Sequence, residues 1–244
     1  MAPHVVGIIQ ARMGSKRLPG KVLMPIRGVP ALELELSRIR PSETLDAICI
    51  ATSDLNVDGP IRAFARSAGI ECVSGPEDDV LSRFALAARF MSADVVVRLT
   101  ADCPFHDWRV VDQVVKAFSE GGAVYTSNAL RRTFPVGLDC EVMATEALLL
   151  ADAEAKDPVA REHVTPFLYR QGSCDVVHVQ LPVNLSSLRW TLDTAEDLRA
   201  IRGIANALRG DDWAGASWTD ILATVLSDPS LANVNAAVSD RNLT

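Results

Sequence analysis

Three short apolar runs constrain the fold of this chain more than any other feature. Val5-Val-Gly-Ile-Ile9, Ala47-Ile-Cys-Ile-Ala51 and Val95-Val-Val-Arg-Leu99 lack the in-and-out alternation of a half-solvated strand. Strands covered on both faces, as in a parallel sheet, look like this. Between them, residues 30–40, 58–68 and 79–91 carry apolar residues at three- and four-residue spacing, which predicts helices. A fourth helix is expected over 107–118, with Asp107 as its N-cap. Strands alternating with helices imply a three-layer α/β/α unit with a mostly parallel, Rossmann-like sheet. Ligands of open α/β sheets sit beyond the carboxyl ends of the strands. That rule directs attention to the residues following Ile9, Ile50 and Leu99.

The second half is less regular. A strand is expected to end at 125–128, with a loop over 131–137 and helices over 145–155 and 159–170. Pro158 stands near the start of the second helix, where a missing N–H costs nothing. A strand over 176–181 and helices over 195–208 and 218–226 complete the pattern. With no repeat or long linker, the 244 residues are expected to form one domain, with parts over 4–122 and 123–200 and C-terminal helices over 201–244. Hydrophobic residues at 48% and charged residues at 23% exclude a disordered or fibrous chain. No window reaches the ~18 apolar residues of a membrane helix, and the first ten residues have no basic start like that of a signal peptide. The five cysteines, Cys49, Cys72, Cys103, Cys140 and Cys174, are odd in number and form no C-x-x-C. They suit reduced thiols in the cytoplasm better than disulfides or a zinc site.

Twenty-four Lys+Arg against 31 Asp+Glu give a net charge of −7, which disfavours nucleic-acid or anionic-membrane partners. A basic cluster within such a chain is therefore informative. Gln10-Ala-Arg-Met-Gly-Ser-Lys-Arg-Leu-Pro-Gly-Lys21 holds Arg12, Lys16, Arg17 and Lys21 around Gly14 and Gly20, directly after the first strand. Glycines allow backbone N–H groups to approach an anion and form a nest. Arginine offers paired bonds to phosphate oxygens, and lysine a mobile point charge. The loop suits a polyphosphate. It is not a P-loop, because five residues separate Gly14 from Gly20 and Val22 follows Lys21, and G-x-G-x-x-G is absent. A solvated surface loop is the alternative.

Asp102, just beyond the third strand, suits Mg²⁺, which takes one or two carboxylates with phosphate oxygens and water. The alternative is a turn residue before Pro104. Asp193 precedes Thr194-Ala-Glu-Asp197, a capping-box pattern, and its own sequence supports a structural turn. Asp139 and Glu141 project to the same side of an extended segment, where they could meet hydroxyls, bind metal or face solvent. Trp108, Trp190, Trp213 and Trp218 are read as core or anchoring aromatics.

The block from Gln10 to Leu23 resembles the signature of the SpsF-type spore-coat polysaccharide cytidylyltransferases, relatives of the enzymes that activate Kdo and sialic or other nonulosonic acids as CMP-sugars. The resemblance continues, in the family's order, through Ala51-Thr-Ser53, Pro76–Arg83, Arg98–Pro104, Gly137–Glu141, Arg161–Thr165 and Trp190–Leu198. It implies a nucleotide-diphospho-sugar transferase fold, CTP or another NTP as substrate, and Mg²⁺. The reaction it implies is in-line attack by an acceptor oxygen on the α-phosphorus, with pyrophosphate released. In this reading Arg12 and Lys21 are catalytic, and Gln10, Ala11, Arg12, Gly14, Ser15, Arg17, Lys21 and Arg83 bind nucleotide. Asp102 and Asp193 hold the metal, while Asp139, Glu141, Glu162 and His163 face a sugar-acid-like acceptor. The resemblance also makes 4–122 the nucleotide-binding part and 123–200 the acceptor-binding part, with a homodimer through 125–180. Where the family carries an acidic residue before Gly-Leu-Asp, this chain has Val136. The competing readings are a glycosyltransferase of the same fold, a cytidylyltransferase for a phosphate or phosphonate acceptor, and a non-catalytic nucleotide-binding subunit. The first lacks support because Asp102-Cys-Pro has no second Asp for a D-x-D motif.

Overall fold

The computed structural model describes residues 2–170, 175–210 and 212–238, so Cys174 and the last residues of the expected C-terminal part lie outside it. Strand β1 (Val5–Gln10) leads into a long loop, a 3-10 turn at Lys21–Leu23 and a small hairpin of β2 (Pro25–Ile26) and β3 (Val29–Pro30). There follow α1 (Ala31–Ile39), β4 (Ala47–Ser53), α2 (Gly59–Ala68), β5 (Glu71–Gly75), α3 (Val80–Phe90), β6 (Val95–Thr100) and α4 (Trp108–Gly121). The second half runs β7 (Tyr125–Ser127), β8 (Glu141–Ala144), α5 (Thr145–Glu154), α6 (Pro158–His163), α7 (Pro166–Arg170) and β9 (Val176–His178). Helices α8 (Ala195–Ala207), α9 (Trp218–Ser227) and α10 (Ser230–Asn233) follow.

Seven strands form one sheet in the order β5-β4-β1-β6-β8-β7-β9. The first four are mutually parallel, β8 is antiparallel to both its neighbours, and β9 is parallel to β7. Alternate residues of β1 serve opposite faces. Val6 and Ile8 pack with Phe84, Leu148 and Leu168 of α3, α5 and α7, whereas Val5 and Ile9 pack with Leu36, Val111 and Ile204 of α1, α4 and α8. Both faces are covered, so the strands carry uninterrupted apolar residues. From β1 the sheet grows through β4 and β5 on one side, and β6 then enters on the other. The order therefore reverses between β1 and β6, where an open α/β sheet leaves a crevice for ligands.

The anticipated caps are present. Asp107 accepts from Arg109 N at 2.9 Å at the start of α4, and Thr194 and Asp197 form a reciprocal capping box on α8. Two expectations need correction. Residues 159–170 are not one helix but α6 and α7, separated at Val164, whose φ of +70° lies in the left-handed region. Pro166 then brings no N–H and disfavours helical geometry at Thr165. The strand expected over 176–181 is only Val176–His178. Strands β5 and β8 lie in segments for which no strand was predicted. Among the described residues no helix is long and apolar enough to cross a membrane, and the four described cysteines are free.

Candidate functional site

At the carboxyl end of β1, Gln10 lies in register with Ala51 of β4 and Thr100 of β6. The basic loop beyond it is folded on itself. Met13 N donates to Asp58 Oδ1 at 2.6 Å, and the carbonyl of Met13 accepts from Ser15 N and Gly20 N, each at 2.9 Å. Asp58 is buried and also accepts from the Ser53 hydroxyl, which ties the loop to the end of β4. Gly20 closes the turn at a φ of +72°, a conformation glycine adopts at no steric cost. The four cations differ in exposure, although Arg17 and Lys21 both reach Asp193. Arg12, Lys16 and Arg17 stand exposed on the loop, while Lys21 is turned inward and is 8% exposed.

Lys21 Nζ lies 2.7 Å from Asp102 Oδ2 and 2.7 Å from Asp193 Oδ1. Backbone bonds explain how carboxylates so distant in sequence meet. Leu192 N donates to the carbonyl of Asp102 at 2.7 Å and Thr191 Oγ1 to the same oxygen at 3.1 Å. Segment 188–190 is in turn laddered to Val136, from Val136 N to Leu188 O at 2.9 Å and from Trp190 N to Val136 O at 2.7 Å. Gly137 permits this approach: at a φ of +104°, a Cβ there would lie 2.6 Å from the Trp190 carbonyl carbon. Asp193 also receives Arg189 at 2.9 Å and Arg17 at 3.2 Å. Burial alone would lower the Lys21 pKa, but the two carboxylates outweigh it and hold the ammonium above its ordinary range. Burial likewise opposes the charge on Asp102, yet Lys21 and a bond from Thr100 hold that carboxyl well below the usual range.

The donor set fits a hard divalent cation. Two carboxylates from different elements already converge on one positive charge at the crevice, and phosphate oxygens and water would complete the coordination.

The expected acceptor residues separate into three environments. Asp139 forms a two-pronged ion pair with Arg132, one arm at 2.8 Å. Glu141 is 7% exposed and engages Arg98, the Tyr125 hydroxyl and Thr165 Oγ1, the last at 2.8 Å. Glu162 is exposed and His163 half-buried, and both end α6 instead of lying inside the longer helix expected over 159–170. Arg83, expected near nucleotide, is buried, and its Nη1 donates to the carbonyls of Pro76 and Glu77 at 2.6 Å each, shaping the loop after β5.

Asp58, Arg98, Thr165, Arg189 and the pair Glu35–His106 carry no role in the sequence reading. Arg98, Thr165, Glu35 and His106 act through partners far along the chain, and Asp58 acts by receiving the folded basic loop. Arg189 pairs with Asp193 and Asp197 across a turn whose closure no local pattern records. His106 Nε2 lies 2.9 Å from the Asp139 carbonyl and its Nδ1 2.8 Å from Glu35 Oε1. Burial pushes Glu35 from 4.5 up to about 7, against the opposing pull of His106 and with a contribution from the Asp102 charge. Burial would lower His106, but its bond to Glu35 raises it. Both groups hold protons more tightly folded than unfolded, so stability should fall as pH climbs from 4.5 through about 7. Glu35→Gln keeps a partner for His106 and removes the acid, so its melting temperature should decline less over that range. An identical decline would show that Glu35 does not carry the effect.

A family model described as cytidylyltransferase matches residues 6–191. The spore coat polysaccharide biosynthesis protein SpsF of Bacillus subtilis is 34% identical over 215 residues, covering 82% of this chain and 85% of that protein. A solved cytidylyltransferase structure from Leptospira borgpetersenii superposes with a TM-score of 0.88 at 28% identity, over 94% of this chain and 97% of that one. The CTP complex of CMP:2-keto-3-deoxy-manno-octonic acid synthetase shares the fold, with a TM-score of 0.63 at 16% identity over 83% of this chain and 98% of that one.

Proposed function

This chain belongs to the cytidylyltransferase family, and on that premise we propose that it transfers CMP from CTP to a sugar-acid acceptor for surface polysaccharide synthesis, releasing pyrophosphate. The observation that carries the proposal is Lys21 held between Asp102 and Asp193 at the crevice beside β1 and β6, with an exposed basic loop above it. Phosphoryl-type transfer depends mainly on positioning and charge neutralisation. Arg12 and Lys21 would stabilise charge growing on the α-phosphate and the leaving pyrophosphate. The loop around Gly14, Ser15 and Arg17 would hold the β- and γ-phosphates. Asp102 and Asp193 would hold Mg²⁺, which bound there supplies charge neutralisation and alignment of the acceptor oxygen. Lys21 would then exchange its carboxylate partners for phosphate oxygens. Asp139, Glu162 and His163 lie on the half of the chain assigned to the acceptor.

The remaining elements of the reading are one catalytic unit, a cytoplasmic site of action where CTP is available, and a homodimer through the 125–180 half, which sedimentation would check. The function itself is tested by supplying each of the four NTPs with 2-keto-3-deoxy sugar acids, sugar phosphates and phosphonates, and following pyrophosphate. CTP-dependent release with a sugar acid is expected. Release of a nucleoside diphosphate from a sugar nucleotide instead would replace it with glycosyl transfer.

A further inference from the structure

A half-buried polar row crosses the sheet beside the site; the sequence reading places Gln10 with the nucleotide and Glu141 with the acceptor, and gives the Arg98 between them no role. Gln10 on β1, Arg98 on β6 and Glu141 on β8 stand on the sheet face that also carries Ile8, Val96 and Met143, and Arg98 and Glu141 are direct partners in the strand register. Arg98 Nη2 donates to Gln10 Oε1 at 3.0 Å, and Nη1 donates to Glu141. The other Glu141 oxygen accepts from Tyr125 and from Thr165. The residue before Thr165, Val164, turns the chain at a φ of +70°, a strained conformation for a β-branched residue, with Thr165 N bonded to the His163 carbonyl at 2.8 Å. Backbone strain beside a densely bonded row is the kind of expense that clusters at functional sites.

The chemistry of the row fixes the orientation of its last member. A guanidinium only donates, so the atom of Gln10 facing Arg98 is the amide oxygen, and the amino group is turned away from it. Nε2 has no partner among the described residues. The row runs from Gln10 toward β8 and Thr165, whereas the phosphate loop leaves β1 toward Ser53 and Asp58. We propose that Arg98, braced by Glu141, is a positioning residue that holds Gln10 so that its Nε2 donates a hydrogen bond to an oxygen of the acceptor. This rests on the cytidylyl-transfer reading and moves Gln10 from the nucleotide set expected from the sequence to the acceptor side.

The test is Gln10→Glu. A carboxylate of the same size keeps the bond to Arg98 but presents an oxygen where the donor was. Its melting temperature should match or exceed that of the wild type, with CTP affinity by calorimetry unchanged. The kcat/KM for the acceptor should fall ~10²-fold, the cost of one misplaced donor. Gln10→Met should show a similar loss, without the repulsion. Arg98→Lys keeps the charge beside Glu141 but not a fork spanning two partners, and should raise acceptor KM ~10-fold with CTP affinity retained. Wild-type kcat/KM in Gln10→Glu would overturn the proposal, as would CTP affinity falling in step with activity. A wild type that releases no pyrophosphate with any acceptor would overturn the transfer reading and this inference with it.

Discussion

Lys21→Met is expected to slow pyrophosphate release by ~10³-fold or more while leaving the sheet intact. The side chain is almost wholly buried, and among the described residues its ammonium alone lies 2.7 Å from both Asp102 and Asp193. Methionine fills the space of the unbranched stem, and the turn keeps its backbone bonds from Lys21 N to Leu18 and from Met24 N to Lys21. What disappears is the charge. A second readout follows from the same geometry. In the wild type, the depressed Asp102 pKa contributes stability that is present above 3.8 and lost as pH falls through the folded value. Without the ammonium that contribution shrinks, so the variant should lose about 1–3 kcal/mol near neutrality and show a shallower dependence on acid. The loss is moderated because the carboxylates are 27% and 19% exposed. Added Mg²⁺ should raise the melting temperature of the variant more than that of the wild type, since it replaces the missing cation. Turnover within tenfold of wild type would remove Lys21 from the reaction.

The legibility of this molecule in its sequence follows a physical division. Strands β1, β4 and β6 are readable because burial on both faces makes each an apolar run. Strand β5 is not, because Cys72, Val73 and Ser74 lie on the sheet edge and are only half-buried. Strand β8 begins with Glu141, whose buried charge is matched by Arg98 opposite it and by bonds from Tyr125 and Thr165, a condition no local pattern records. The break between α6 and α7 is equally hidden: the apolar spacing continues through Val164, where the chain turns at a φ of +70° with Thr165 N bonded to the His163 carbonyl at 2.8 Å and the Thr165 hydroxyl bonded to Glu141.

The candidate site divides in the same way. The basic loop is legible as a block because its residues are adjacent in the chain. Its division of labour is not, since the inward turn of Lys21 depends on carboxylates 81 and 172 residues away. Asp193 illustrates both halves. The capping box that its neighbours suggested is present, and the same tight turn brings its carboxylate to Lys21. The two sequence readings of that residue are therefore compatible, because the cap is what aims the side chain.

Asp102→Asn is expected to be at least as damaging as loss of Lys21, ~10³-fold or more in turnover. Of the two carboxylates, Asp102 shares its charge with one cation, whereas Asp193 is met by Lys21, Arg17 and Arg189. Asp102 thus has more uncompensated charge to offer a metal, and Asp193→Asn should cost less. The substitution spares the scaffold, because the bonds joining residue 102 to Leu192 and Thr191 use its backbone carbonyl. Turnover measured against Mg²⁺ concentration, with melting temperature as a control for folding, separates the outcomes. A raised half-saturating Mg²⁺ concentration and an unchanged fold are expected for Asp102→Asn. If that variant instead turns over within tenfold of wild type at the same Mg²⁺ concentration, Asp102 is only the counter-ion of Lys21. The metal would then have to be held by Asp193 and the phosphates, and Asp193→Asn should become the more damaging change.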